Sequence, residues 1–175
     1  NRKRALARTV SCGFPLAEAL EGLWPSSRGF CSPVGRGAEA RIAVLGIGTG
    51  VETGMFLDAQ VAHVDVFERE PTVRRAAAYM AEHNHLHFDG GEPHADGLTL
   101  IETAAELPAD ARYDAIVHTP SLTVLAEPHR LFTTERLTDL RAHLAPGGVV
   151  VMHLQMYEIR PWIFASLLRT FARAF

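Results

Sequence analysis

RIAVLGIGTG, residues 41–50, decides how this chain is read. Ile42, Ala43, Val44 and Leu45 make an apolar run that then breaks into glycine at every second position, Gly46, Gly48 and Gly50. A short run without polar alternation suits a strand buried on both faces, the kind found in parallel sheets. Glycines directly after it remove Cβ atoms where the chain turns from strand to helix. A ligand can then lie against bare backbone N–H groups at a helix N-terminus. A Gly-x-Gly-x-Gly turn also suits a plain tight connection, so the surrounding pattern has to decide.

Downstream the chain alternates strand-like and helix-like segments. Residues 51–60 suit a helix carrying Met55, Phe56 and Leu57, and HVDVFE (63–68) a strand. Pro71 suits the first position of a helix over 71–84. HLHFDGGEPHADG is rich in turn residues, and the pattern predicts a helix over 98–107. YDAIVHT (113–119) is a buried-type strand. Residues 130–144 place Leu131, Leu137, Leu140 and Leu144 on one helical face, PGG turns the chain into an uncharged strand over 149–155, and the end is an amphipathic helix carrying Trp162, Phe164, Leu167, Leu168 and Phe171. Apolar strands alternating with helices predict a doubly wound, Rossmann-like α/β fold with a mostly parallel sheet. Residues 1–40 read as an irregular lead-in with a short helix near 15–24, and 41–175 as the α/β domain.

The composition narrows the function classes. At 175 residues, 47% hydrophobic and 21% charged, the chain suits one domain with a substantial core. It has no apolar run of the ~18 residues a spanning helix needs, which predicts a cytoplasmic protein without membrane contact. Cys12 and Cys31 have no paired spacing and read as free thiols. The net charge is −3, and Arg2, Lys3, Arg4 and Arg8 concentrate positive charge in the first ten residues. The acidic remainder argues against a nucleic-acid partner. Lys3 is the only lysine, so Schiff-base chemistry and P-loop phosphate binding have no candidate residue. Asn1 stands where an initiator Met would, so the chain reads as part of a longer one. His83, His85, His87 and His94 invite a metal, but without a cysteine partner they read as solvated loop residues, and no metal is expected.

Ligands of such sheets bind beyond the carboxyl ends of the strands, where the strand order reverses. Glu68 follows the second strand about 20 residues after the glycine turn, where an acid can accept hydrogen bonds from ribose hydroxyls. Asp96, ahead of the next expected helix, suits a cap or an acceptor for an exocyclic amine. A dinucleotide fingerprint wants a third glycine where this chain has Val51. Gly-x-Gly-x-Gly with an acid after the second strand instead matches the S-adenosylmethionine-dependent methyltransferase pattern.

From Arg41 to Phe175 the chain resembles the spermidine/spermine synthase family, the polyamine aminopropyltransferases, through VLGIGTG, HVDVFEREPTVRRAAAYM, ADGLTLIE, YDAIV, LFTTERLTDLRAHLAPGGVVVMHLQ and LLRTFARAF. The resemblance implies the methyltransferase fold, with S-adenosylmethionine or its decarboxylated form as co-substrate and a small amine or other methyl acceptor as partner. It implies a cofactor site of Gly46, Ile47, Gly48, Thr49, Gly50, Glu68, Arg69, Asp96 and Gly97, with Asp96 and Gly97 beside the adenine. It also implies two further strands after the last helix, before which the chain stops, and allows a homodimer. This chain departs from the family where its catalytic acids should stand. Thr49 replaces an Asp of the glycine turn, and His118 and Thr119 replace the aspartate after the fourth strand. That speaks against aminopropyl transfer, leaves His118 and Thr119 as the candidate catalytic residues, and opens two alternatives: a methyltransferase of another substrate, or a non-catalytic module of a larger protein.

Overall fold

The computed structural model describes residues 39–58, 61–102, 106–118, 132–152, 154 and 159–175. The expected lead-in helix, both cysteines and Thr119 lie outside them. Strand β1 (Arg41–Leu45) runs into helix α1 (Val51–Asp58), and β2 (His63–Phe67) into α2 (Pro71–Ala77). After one 3-10 turn comes the short α3 (Ala81–Asn84), followed by a hairpin of β3 (His87–Asp89) and β4 (Glu92–His94). Then follow β5 (Leu98–Ile101), β6 (Tyr113–His118), α4 (Thr134–Ala142), β7 (Leu144–Met152) and α5 (Pro161–Ala174).

Five strands form one parallel sheet in the order β5-β2-β1-β6-β7. The order reverses between β1 and β6, so the connections on the two sides of β1 cover opposite faces. Ile42 and Val44 pack with Val64, Val66, Phe56 and Ala77 on one face, while Ala43 and Leu45 pack with Phe67, Leu137, Leu140 and Phe171 on the other. Burial on both faces is why these strands carry near-continuous apolar sequence. No helix among the described residues is long and apolar enough to cross a membrane.

Three expectations are corrected. Leu98–Ile101 is a strand and not the start of a helix over 98–107. The pairing of Val64 with Leu98 through Phe67 with Ile101 extends the sheet, and that tertiary pairing outweighs the helix-forming residues that follow. The turn-rich stretch closes into the β3–β4 hairpin, with Gly90 and Gly91 both at positive φ in its turn. PGG is not a turn ahead of the strand but an irregularity inside β7. Gly147 has φ 84°, and a Cβ on Gly148 would stand 2.8 Å from the Tyr113 carbonyl oxygen. In α5, Phe171 is buried as expected, but Trp162 is 66% exposed.

The amino ends of the strands are stapled by one carboxylate. Asp65, only 1% exposed, accepts hydrogen bonds from Arg41 Nε and Nη2 (3.1 and 2.7 Å), from the Tyr113 hydroxyl (2.8 Å), and shares one with His63 Nε2 (3.0 Å). Burial, and then the Asp65 carboxylate, push the Tyr113 phenol well above its usual pKa, so it stays a donor. The charge is buried but fully used, as a buried ion must be.

Helix α1 approaches α3 so closely that a Cβ on Gly54 would sit 1.6 Å from the Asn84 carbonyl oxygen. The obstacle is backbone, so it cannot swing aside. Gly54→Ala is therefore expected to destabilise the protein by about 1–3 kcal/mol, the range for overpacking, in urea unfolding. A loss no larger than a few tenths would show that the two helices separate freely.

Candidate functional site

The glycine turn sits where the strand order reverses. Gly46 donates its N–H to the Phe67 carbonyl (2.8 Å), tying the end of β1 to the end of β2. Gly46, Gly48 and Gly50 have φ of 91°, 53° and 81°, values that L side chains rarely adopt. They differ in their surroundings. A Cβ on Gly50 would press against Asn84 Nδ2 at 2.9 Å, whereas one on Gly46 or Gly48 would meet no atom within 4 Å. The turn is thus supported from beneath, with open space beside its first two glycines.

Asn84 supplies the support. Its side chain, 1% exposed, donates from Nδ2 to the carbonyls of Thr49 and Ala77 (both 2.9 Å) and accepts from the Leu86 N–H (3.0 Å). The sequence reading missed this residue. Its signal, an Asn closing a helical segment, is shared by ordinary helix ends.

Glu68 lies against the turn. Its Oε2 accepts from the Ile47 N–H (3.3 Å) and its Oε1 from the Glu70 N–H (2.9 Å). An ionised carboxylate has about four lone-pair positions, so both oxygens keep room for another donor. The Glu68 N–H donates to the Ile101 carbonyl (3.0 Å), which joins this corner to β5. Arg69 is exposed and its Nε pairs with Glu70 Oε1 at 3.2 Å.

The structure brings Glu68 against the turn Gly46–Gly50; Asp96 and Gly97 do not join them. Both precede β5 at its amino end, where the Gly97 carbonyl accepts from the Val64 N–H (2.7 Å). Reading 98–107 as a helix put them at a strand's carboxyl end; as β5 is a strand, they fall at the opposite edge of the sheet. The acid that does follow the carboxyl end of β5 is Glu102, held by Arg74 Nη2 at 3.0 Å.

His118 ends β6 beside Leu45 on one side and Met152 on the other. It is 8% exposed, and its Nδ1 is buried with no hydrogen-bond partner among the described residues. Burial, and then the Arg136 charge, lower its pKa from 6.5 to about 4. The ring is neutral at physiological pH and so has one acceptor nitrogen. The loop histidines stay apart from this site. His85 pairs with Asp58, and His87 faces His94 across the hairpin. Among the described residues, no three His, Cys, Asp or Glu side chains gather as a metal site would require.

Several solved structures with the same arrangement are named as methyltransferases. The chain superposes on ribosomal protein L11 methylase from Lactobacillus delbrueckii subsp. bulgaricus with a TM-score of 0.55 and 18% identity, covering 80% of this chain and 62% of that one. Human methyltransferase-like protein 13, solved in complex with SAH, gives 0.56 and 18% over 75% and 61%. N-methyltransferase NodS from Bradyrhizobium japonicum WM9 gives 0.56 and 16% over 91% and 80%. This is the fold of S-adenosylmethionine-dependent methyltransferases. The chain spans about three fifths of the length of the first two structures. No protein-family model and no curated protein matches the sequence. Nothing in these comparisons points to the spermidine synthase family in particular.

The His118 shift makes stability depend on pH. Between 6.5 and about 4 the unfolded chain takes up a proton that the folded chain refuses. Stability is then highest above the unfolded value and falls as pH drops through this window. The expected slope from this residue is up to about 1.4 kcal/mol per pH unit. His118→Phe should flatten the urea-unfolding profile by that amount; equal slopes in both proteins would show that this imidazole does not titrate as described.

Proposed function

We propose that the domain binds S-adenosylmethionine across the carboxyl ends of β1, β2 and β6 and serves methyl transfer to an acceptor of unspecified class. The observation that carries this reading is the Glu68 carboxylate, hydrogen-bonded to the Ile47 amide of the glycine turn, with acceptor capacity left on both oxygens. A cis-diol offers two donors to such a carboxylate, and the side-chain-free ground beside Gly46 and Gly48 accommodates the rest of a nucleoside derivative. Ile47, Gly48 and Thr49 would form the floor, Glu68 would hold the ribose, and Glu102 would border the base. When bound, S-adenosylmethionine supplies a methyl group activated on a sulfonium centre.

His118 belongs to the acceptor side of this reading. A neutral imidazole with an unpartnered nitrogen can receive the proton of an N–H or O–H nucleophile. Aminopropyl transfer to a polyamine would instead call for carboxylates, to hold ammonium groups and to deprotonate one of them. The residue at that strand end is an uncharged ring. That favours methyl transfer over the aminopropyl reading, and S-adenosylmethionine over its decarboxylated form.

Calorimetric titration tests the proposal. S-adenosylmethionine and S-adenosylhomocysteine should both bind, ahead of decarboxylated S-adenosylmethionine. Glu68→Ala should weaken binding by about 1.5–3 kcal/mol, the range for a hydrogen bond to a charged group. Absence of binding at millimolar concentration would leave a non-catalytic module as the better reading. Tighter binding of the decarboxylated form would restore aminopropyl transfer.

A further inference from the structure

We propose that Arg74 is a positioning residue of the nucleoside site, the group that holds the Glu68 carboxylate in place for a ribose diol. This rests on the adenosyl-cofactor reading and adds to it a residue that no sequence motif marks.

Arg74 lies on α2, yet it is only 4% exposed, a rare state for arginine. Its guanidinium is spent on three separate elements at one edge of the site. Nη1 donates to the Glu68 carbonyl (2.9 Å), with a longer contact to that of Arg69 (3.5 Å). Nε donates to Glu92 Oε2 on the hairpin strand β4 (2.9 Å). Nη2 donates to Glu102 Oε1, just past β5 (3.0 Å). One planar group thus fixes the end of β2, the hairpin and the end of β5 relative to one another.

Packing alone does not call for this residue. Ala77, one turn further along α2, closes against the sheet as an apolar side chain. Burying a guanidinium costs desolvation that its hydrogen bonds do little more than offset. What the arginine adds is direction, because its donors leave a rigid plane at set angles. Glu68 is the residue most affected. Its backbone is held by Ile101 on the N–H side and by Arg74 on the carbonyl side, while its carboxylate spans the Ile47 and Glu70 amides. Without Arg74 the Glu68 carbonyl loses its side-chain anchor. The carboxylate would then lose its register against the glycine turn, even with the domain folded.

The distinguishing experiment compares two ligands, S-adenosylhomocysteine and its 2′,3′-dideoxy analogue, which lacks the ribose hydroxyls. Both are titrated into the wild-type protein, Glu68→Ala, Arg74→Met and Arg74→Lys. The wild type should prefer the ligand with hydroxyls by about tenfold or more, and Glu68→Ala should abolish that preference. Arg74→Met should also bring it within about twofold, with affinity for the dideoxy analogue little changed. Arg74→Lys keeps the charge without the fork and should fail to restore it. Equal weakening of both ligands would assign Arg74 a purely structural role and overturn the proposal, as would a preference retained in Arg74→Met. Should Arg74→Met not fold, Glu92→Gln loosens one of the guanidinium's anchors and is read the same way. Wild-type protein that binds neither ligand ends the nucleoside reading itself, whereas binding without preference places the ribose away from Glu68.

Discussion

The glycine-turn half of the domain hangs on the side chain of Asn84. Its amide bonds the turn after β1 and the end of α2 together, its oxygen holds the backbone leading into the hairpin, and its own carbonyl lies against Gly54. Each partner is a main-chain group that would otherwise be an orphan at a helix or strand end. A buried amide that uses both its N–H donors and accepts at its oxygen fixes geometry more tightly than apolar contact does, because a small displacement breaks several directional bonds at once. The positive φ angles of the glycine turn are kept in place from below. The upper side of the turn is left without side chains.

The two halves of the proposed site differ in physical character. On the β2 and β5 side, carboxylates, backbone amides and a buried guanidinium interlock, an arrangement suited to recognising one fixed polar shape. On the β6 side stands an uncharged ring between Leu45 and Met152, with the Arg136 charge near enough to oppose its protonation. An uncharged proton acceptor there fits the proposed methyl transfer, in which a cationic centre loses its charge as the reaction proceeds.

Most of the fold was legible because burial on both faces forces apolar strands, and β1, β2 and β6 show it plainly. The glycine turn and Glu68 were legible for a related reason: each depends on a residue type at a position set by the chain's own order. What failed was β5. LTLI carries no marker to separate it from the first turn of a helix, and its identity comes from an edge of β2 distant in sequence. That single misreading moved Asp96 and Gly97 to the wrong end of the sheet. Arg74, Asn84 and Glu102 were invisible for another reason, since a polar residue on a helix or after a strand reads as solvated until its partners are known. The acceptor side was least legible, with only His118 of its candidates among the described residues.

The staple around Asp65 bears on how such a domain can change over generations. Arg41, His63 and the Tyr113 hydroxyl all converge on that one carboxylate from three different strands. Replacing the acid alone strands a buried hydroxyl and deprives a guanidinium of its counter-ion; replacing a donor alone leaves a charge under-solvated at 1% exposure. No single step away from this set is neutral. Sequences that share the domain should therefore keep these positions together or exchange them together for an apolar set. Joint retention or joint loss at positions 41, 65 and 113 becomes a signature by which distant kin of the chain can be traced when overall identity has faded.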